Sequence, residues 1–213
     1  KRARRAYGFD EVALVPGRIT INPAEIDVSW PLNGHSFQLP VLAAAMDGVV
    51  DVRFAREMGR LGGLAVLNLD GVQTRYEDPT AVLEEIAASP VEQINTLLQK
   101  LYQAPVQDGL IGQRVEEIKS AGVPCAVSSI PNHAEHRAPI VQEAGADAFV
   151  VQGTVLTARH RSKSYRQLNF SDLTRSLGIP LIVGNCVDYA TALELMGHGI
   201  RGLLVGVGPG AAC

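Results

Sequence analysis

From residue 40 onward the chain repeats one unit, a short and predominantly apolar run followed by an amphipathic stretch that stops at a glycine. A run that is apolar at every position, not at alternate ones, is a strand covered on both faces, and such strands belong to parallel sheets whose connections are helices. The runs are 40–46, 64–69, 125–129, 147–153, 180–185 and 202–205. Between them, Val52, Phe54, Ala55, Met58 and Leu61 fall near helical spacing before Gly62-Gly63, and Leu110, Ile111, Val115 and Ile118 do so before Gly122. Ile140, Val141 and Ala144 precede Gly145, Leu173 and Leu177 precede Gly178, and Asp188 is placed to cap a helix carrying Ala192, Leu195 and Met196. Glycine at such a position ends a helix by taking left-handed backbone angles. Six strand-helix units predict an α/β fold with a parallel sheet. The count leaves two architectures open: an open doubly wound sheet, or a (β/α)8 barrel whose last units lie beyond residue 213.

The repeat is interrupted once, over 70–107. Asp78-Pro79 predicts an N-cap with proline in the first helical turn, followed by Val82, Leu83 and Ile86. Ser89-Pro90-Val91-Glu92 has the form of a capping box, with Ile94, Leu97, Leu98 and Leu101 on one face beyond it. Residues 1–39 mix short apolar pieces, 12–15 and 19–21, with turn residues, and are expected to form an extended arm or a small antiparallel layer. The polar, basic stretch 154–169 is expected to be a loop on the ligand face.

Composition narrows the partners. A formal net charge of -3 gives no basic excess for nucleic acid, and Lys1-Arg2-Ala3-Arg4-Arg5 is read as a solvated end. No apolar stretch reaches the roughly eighteen residues of a membrane span, and nothing resembles a signal peptide. The three cysteines, Cys125, Cys186 and Cys213, are widely spaced and odd in number, so no disulfide framework or structural zinc site is suggested and a reducing cytoplasm is expected.

In α/β folds the chemistry sits at the carboxyl ends of the strands. Those ends are Met46-Asp47-Gly48, Asn68, Ser128-Ser129, Gln152-Gly153-Thr154, Gly184-Asn185 and the loop Gly206-Val207-Gly208-Pro209-Gly210-Ala211-Ala212-Cys213. Small residues, amides and hydroxyls suit a polar heterocycle carrying a phosphate, and backbone amides of a glycine loop satisfy phosphate oxygens. His133 and His136, at three-residue spacing, are either a metal pair or a solvated loop pair. Asp47 is either a catalytic carboxylate or a hydrogen-bonded turn residue. Cys125 and Cys186 read as small core residues, whereas Cys213 stands in an amide-rich loop where a thiolate nucleophile can be stabilised.

Residues 9–16, the Ala45-Met46-Asp47 strand end, Gly184-Asn185-Cys186-Val187 and the 206–213 loop, taken in order, resemble the IMP dehydrogenase and GMP reductase family. The resemblance implies a (β/α)8 TIM barrel over 1–213, with about six of the eight units present and the C-terminal units absent. Residues 1–39 would be its arm, and 70–107 a helical insertion where the family usually carries a CBS pair. It implies that Cys213 adds to carbon 2 of IMP, that hydride passes to NAD, and that the thioimidate is hydrolysed to XMP. Met46, Asn185, Gly206 and Ala211 would bind the nucleotide, and Gln152, Gly153 and Thr154 would face the nicotinamide. Backbone carbonyls of Gly208, Gly210 and Cys213 would hold a potassium ion, and the assembly would be a homotetramer. Gln152-Gly153-Thr154 stands where the family has Asp-Ser-Ser, Leu204 where it has arginine, and Ala44 and Ala211 where it has phosphate-binding serines. GMP reductase activity, or a nucleotide-binding relative without turnover, are the alternatives.

Overall fold

The computed structural model describes residues 5, 7–8, 11–159 and 167–207. Its main body is a six-stranded parallel sheet: β3 (Leu42–Ala43), β4 (Leu64–Asn68), β5 (Ala126–Ser129), β6 (Ala148–Gln152), β7 (Leu181–Cys186) and β8 (Gly202–Val205). The strands are hydrogen-bonded strictly in chain order, β3-β4-β5-β6-β7-β8. A doubly wound sheet reverses direction at a switch point, and this one never does, so the winding is that of a barrel with six of its eight units.

Helices follow the strands on one face: α1 (Val52–Arg60), α4 (Asp108–Lys119), α5 (Pro131–Glu143), α6 (Phe170–Ser176) and α7 (Tyr189–Met196). Asp51 and Asp188 cap α1 and α7, accepting from the amides of Phe54 and Thr191. Alternation along each strand divides the buried side chains into two cores. Leu67, Val127, Phe149, Val151 and Val183 face the helices and meet Ile111, Val115, Val141, Leu173 and Leu195. Leu64, Val66, Ala126, Ala148, Val150 and Ile182 face the concave side.

The concave core is closed by an antiparallel hairpin, β1 (Trp30–Leu32) and β2 (His35–Phe37). Phe37 is buried there, stacked on Trp30 at 4.4 Å between ring centroids. The expected antiparallel layer in the arm therefore exists, but not at 12–15 or 19–21, whose Val12, Leu14, Val15, Ile19 and Ile21 are exposed. The signal for its true place is Asn33-Gly34, with φ of 50° and 79°, the pair that a tight hairpin turn requires.

The insertion between β4 and α4 is helical as expected, with α2 (Pro79–Ala88) and α3 (Ile94–Leu101) around a small core of Val72, Val82 and Leu101. Asp78 caps α2 through the Ala81 amide. The capping box at 89–92 does not form: Ser89 ends α2, and α3 begins only at Ile94 behind Gln93, which makes no side-chain cap bond. The turn after Pro90 closes instead through the Gln93 amide to the Pro90 carbonyl. His133 and His136 lie on α5, which starts at Pro131, and not in a loop. Among the described residues, no helix is long and apolar enough to cross a membrane.

At the strand-start end, Asp147 ties four pieces together. It accepts from Lys119 Nζ at 2.8 Å, the Cys125 amide at 2.7 Å and His35 Nε2 at 3.0 Å, joining α4, β5, β6 and the hairpin. Burial alone would raise its pKa, but these donors together outweigh burial and hold it below the ordinary carboxylate value. A depressed folded-state pKa contributes stability above the unfolded value of about 4, and that contribution is lost as pH falls through the folded value. Asp147→Asn is therefore expected to cost about 2 kcal/mol at neutral pH, with the deficit shrinking below about pH 4, as measured by urea denaturation across that range.

Candidate active site

At the opposite end, the last inward-facing positions of successive strands are Asn68, Ser128, Gln152, Gly184 and Leu204, paired across the sheet as Asn68 with Ser128 and Gln152 with Gly184 with Leu204. Asn185 follows in a bulge, where the register between β7 and β8 skips from Gly184 to Cys186. The bulge re-aims one side chain at the strand end, a common device beside active sites. Gly184 has no substitute here, because a Cβ would come within 2.4 Å of Leu204 Cβ and 2.8 Å of its carbonyl oxygen. Leu204 packs into the concave core, so this position of the rim is apolar.

Backbone bonds stitch three strand ends into one ledge. The Gly153 amide donates to Gly184 O at 2.9 Å, the Asn185 amide to Gly153 O at 3.0 Å, and the Leu156 amide to Asn185 O at 2.7 Å. The Gly206 amide donates to Cys186 O at 2.7 Å, and Asn185 Nδ2 donates to Gly206 O at 2.9 Å. Asn185 Oδ1 is buried and, among the described residues, has no hydrogen-bond partner. A buried acceptor without a partner is costly, of order 1–3 kcal/mol.

Gln152, Gly153, Asn185 and Gly206 thus lie together at one end of the sheet, with the exposed Thr154 beside them. Met46 lies in the turn after β3, 57 % exposed, with its carbonyl accepting from the amides of Val49 and Val50. Gly208, Gly210, Ala211 and Cys213 lie outside the described residues. The two other cysteines are buried. Burial, with the nearby Asp147 charge, pushes the Cys125 thiol up to about 12, so it stays protonated and inert.

Other rim groups escaped the sequence reading. Asp70, just beyond β4, accepts from Arg137 Nη1 at 2.7 Å and the Ile130 amide at 2.9 Å, and lies 2.8 Å from His133 Nδ1. Burial works against its charge, but these partners prevail and hold the Asp70 pKa below the usual range. Arg137, only 4 % exposed at its side chain, also donates to Ser129 Oγ. Its sequence signal is a cation on the inward side of α5, beside Ala134, Ala138 and Val141. His136 Nε2 lies 2.9 Å from Asp108 Oδ2 instead, so the two histidines face separate carboxylates, Asp70 and Asp108. Among the described residues, no group of three or more His, Cys, Asp or Glu could hold a metal ion. Asp47 is the hydrogen-bonded turn residue of the two readings, accepting from the Val72 amide at 2.9 Å and from Tyr102 Oη.

Against known proteins, the IMP dehydrogenase / GMP reductase domain model matches residues 6–213. The chain belongs to the IMP dehydrogenase / GMP reductase family. It is 38% identical over 213 residues to an uncharacterized oxidoreductase of Mycobacterium tuberculosis, covering 98% of this chain and 57% of that protein. It is 24% identical over 299 residues to the inosine-5'-monophosphate dehydrogenase of Methanocaldococcus jannaschii, covering 99% of this chain and 60% of that protein. The crystal structure of an IMP dehydrogenase/GMP reductase-like protein from Corynebacterium glutamicum superposes with a TM-score of 0.88 at 33% identity, covering 97% of this chain and 55% of that one. The chain thus spans little more than half the length of these relatives.

Gly184→Ala tests the ledge. Overpacking against Leu204 should cost about 1–3 kcal/mol, read as a lower denaturation midpoint with an unchanged slope.

Proposed function

We propose that this chain carries the catalytic barrel of an oxidoreductase acting on a purine 5'-monophosphate, and that its reaction is the oxidation of IMP to XMP. The observation that carries the reading is Asn185: an amide side chain set by a bulge at the end of β7 and anchored through Nδ2 to Gly206 O. A polar amide at a strand end suits the hydrogen-bonding groups of a hypoxanthine or a ribose. Family membership supplies the rest of the reading, and the relative named as an inosine-5'-monophosphate dehydrogenase favours IMP as substrate.

In this mechanism the Cys213 thiolate attacks carbon 2 of the bound purine, forming a C–S bond and making that carbon tetrahedral. The hydrogen of carbon 2 leaves with its electron pair as hydride, and the C–N double bond re-forms as a thioimidate on Cys213. Water then adds to the same carbon and the thiolate is expelled, giving XMP. Met46 and Asn185 orient the base, while Gly206 and Ala211 border it. Bound NAD supplies the hydride acceptor.

The residues at the β6 end fit such a cofactor. Both backbone groups of Gly153 are engaged by β7, so the contacts fall to the half-buried Gln152 amide and the exposed Thr154 hydroxyl. Those are neutral donors and acceptors, suited to a carboxamide or ribose hydroxyl. Potassium on the carbonyls of Gly208, Gly210 and Cys213, and a homotetrameric assembly, belong to the same proposal.

The test uses the full-length protein. IMP with NAD should raise absorbance at the reduced-nicotinamide band, and Cys213→Ala should abolish the signal while IMP binding persists. Asn185→Ala should weaken IMP binding about ten-fold, as expected for about 1.4 kcal/mol. Turnover of GMP with NADPH and none of IMP would overturn the direction in favour of a reductase.

A further inference from the structure

The helical insertion reaches back to the barrel through one side chain. Tyr102, the residue after α3, donates its hydroxyl to Asp47 Oδ2 in the turn between β3 and α1. The same carboxylate accepts from the Val72 amide at 2.9 Å and, at the long distance of 3.5 Å, from Asn68 Nδ2 on the concave end of β4. It is pressed so closely on the chain that a Cβ at Gly71 would fall 1.8 Å from Asp47 Oδ1. Asp47 therefore joins the β3 turn, the end of β4 and the insertion.

Tyr102 is itself held. The Arg75 guanidinium lies 5.4 Å from its ring centroid and donates to Asp70 O, and Gln107 Nε2 donates to Arg75 O at 2.8 Å. Burial, then the Asp47 carboxylate, raises the Tyr102 pKa, so its hydroxyl stays a donor. On the other side of Asp47, the turn returns two amides, Val49 and Val50, to the carbonyl of Met46, both at 2.9 Å. A groove of about 570 Å³ separates α1 from α2 beside this turn, lined by Asp47, Val49, Phe54, Leu83 and Ile86. Tyr102 bridges from the insertion to Asp47, which itself lines that groove.

We propose that Tyr102 is a positioning residue for nucleotide binding: the insertion, through Tyr102 and Asp47, sets the turn that presents Met46 to the substrate. The inference rests on the assignment of Met46 to the nucleotide site. Its first half, that the hydroxyl holds the turn, is independent of that assignment.

Two conservative variants of the full-length protein separate the roles. Tyr102→Phe keeps the ring under Arg75 and removes the donor to Asp47. Tyr76→Phe removes a comparable hydroxyl, the one donating to Leu101 O at 2.8 Å inside the insertion, and leaves Asp47 untouched. Hydrogen exchange at the Val49 and Val50 amides of the nucleotide-free protein should accelerate about five-fold in Tyr102→Phe and stay unchanged in Tyr76→Phe. The Kd for IMP should rise about five-fold in Tyr102→Phe alone, about 1 kcal/mol at 1.4 kcal/mol per decade, with kcat within about two-fold of the parent. Unchanged exchange in Tyr102→Phe would overturn the latch. Faster exchange with unchanged Kd would overturn its role in binding. Parent protein that binds neither IMP nor GMP would overturn the nucleotide reading, and the binding role with it, while the exchange result still decides whether Tyr102 holds the turn.

Discussion

Every central strand of this chain has to bury both faces, and the rest of the structure follows from that demand. The helices cover the convex side, where Phe149, Val151 and Val183 meet Ile111, Val115 and Leu173. Among the described residues the concave side has no helix, so its smaller core of Leu64, Val66, Val150 and Ile182 depends on curvature and on the Trp30–Phe37 hairpin at the strand-start end. That plug leaves the other end of the concave side to the polar residues Asn68, Ser128 and Gln152. Packing and chemistry are thereby separated along the strand direction, as in barrel enzymes generally.

Three aspartates fasten the connections that this arrangement requires. Asp147 gathers the hairpin, α4 and β5 at the closed end. Asp70 and Asp47 work at the open end, the first on Arg137 and the Ile130 amide, the second on the insertion. Each accepts several donors from segments far apart in the chain. At Asp70 and Asp147 these donors outweigh burial and keep the carboxylate charged. The close approaches at Gly71 and Gly184 belong to the same pattern, since both occur where the rim is drawn together.

Much of the architecture is legible in the residues because parallel strands have a direct signature, unbroken apolar runs between helices that end at glycine. The Asp78 and Asp188 caps are equally local, since each side chain accepts from an amide three residues on. The capping motif at Ser89 misleads because the turn after Pro90 competes with it and α3 gains its packing from Leu97 and Leu101, further along. The hairpin is hidden behind more conspicuous apolar pieces, although Asn33-Gly34 marks its turn. Arg137 and Tyr102 are harder to read, because their partners Asp70 and Asp47 are distant in sequence and no local pattern links them.

The linear order of residues by itself determined the strand-helix alternation, the helical character of the insertion and the polar character of the strand ends. These follow from periodicity and from side-chain chemistry, which act over a few neighbouring residues. Only the tertiary structure decided between a barrel winding and a doubly wound sheet, since both use the same units and differ solely in which strands pair. It alone placed Asn185 in a bulge anchored to Gly206 and brought Tyr102 onto Asp47. Register and long-range hydrogen bonding depend on how separate segments meet, and that information is not carried by any one of them.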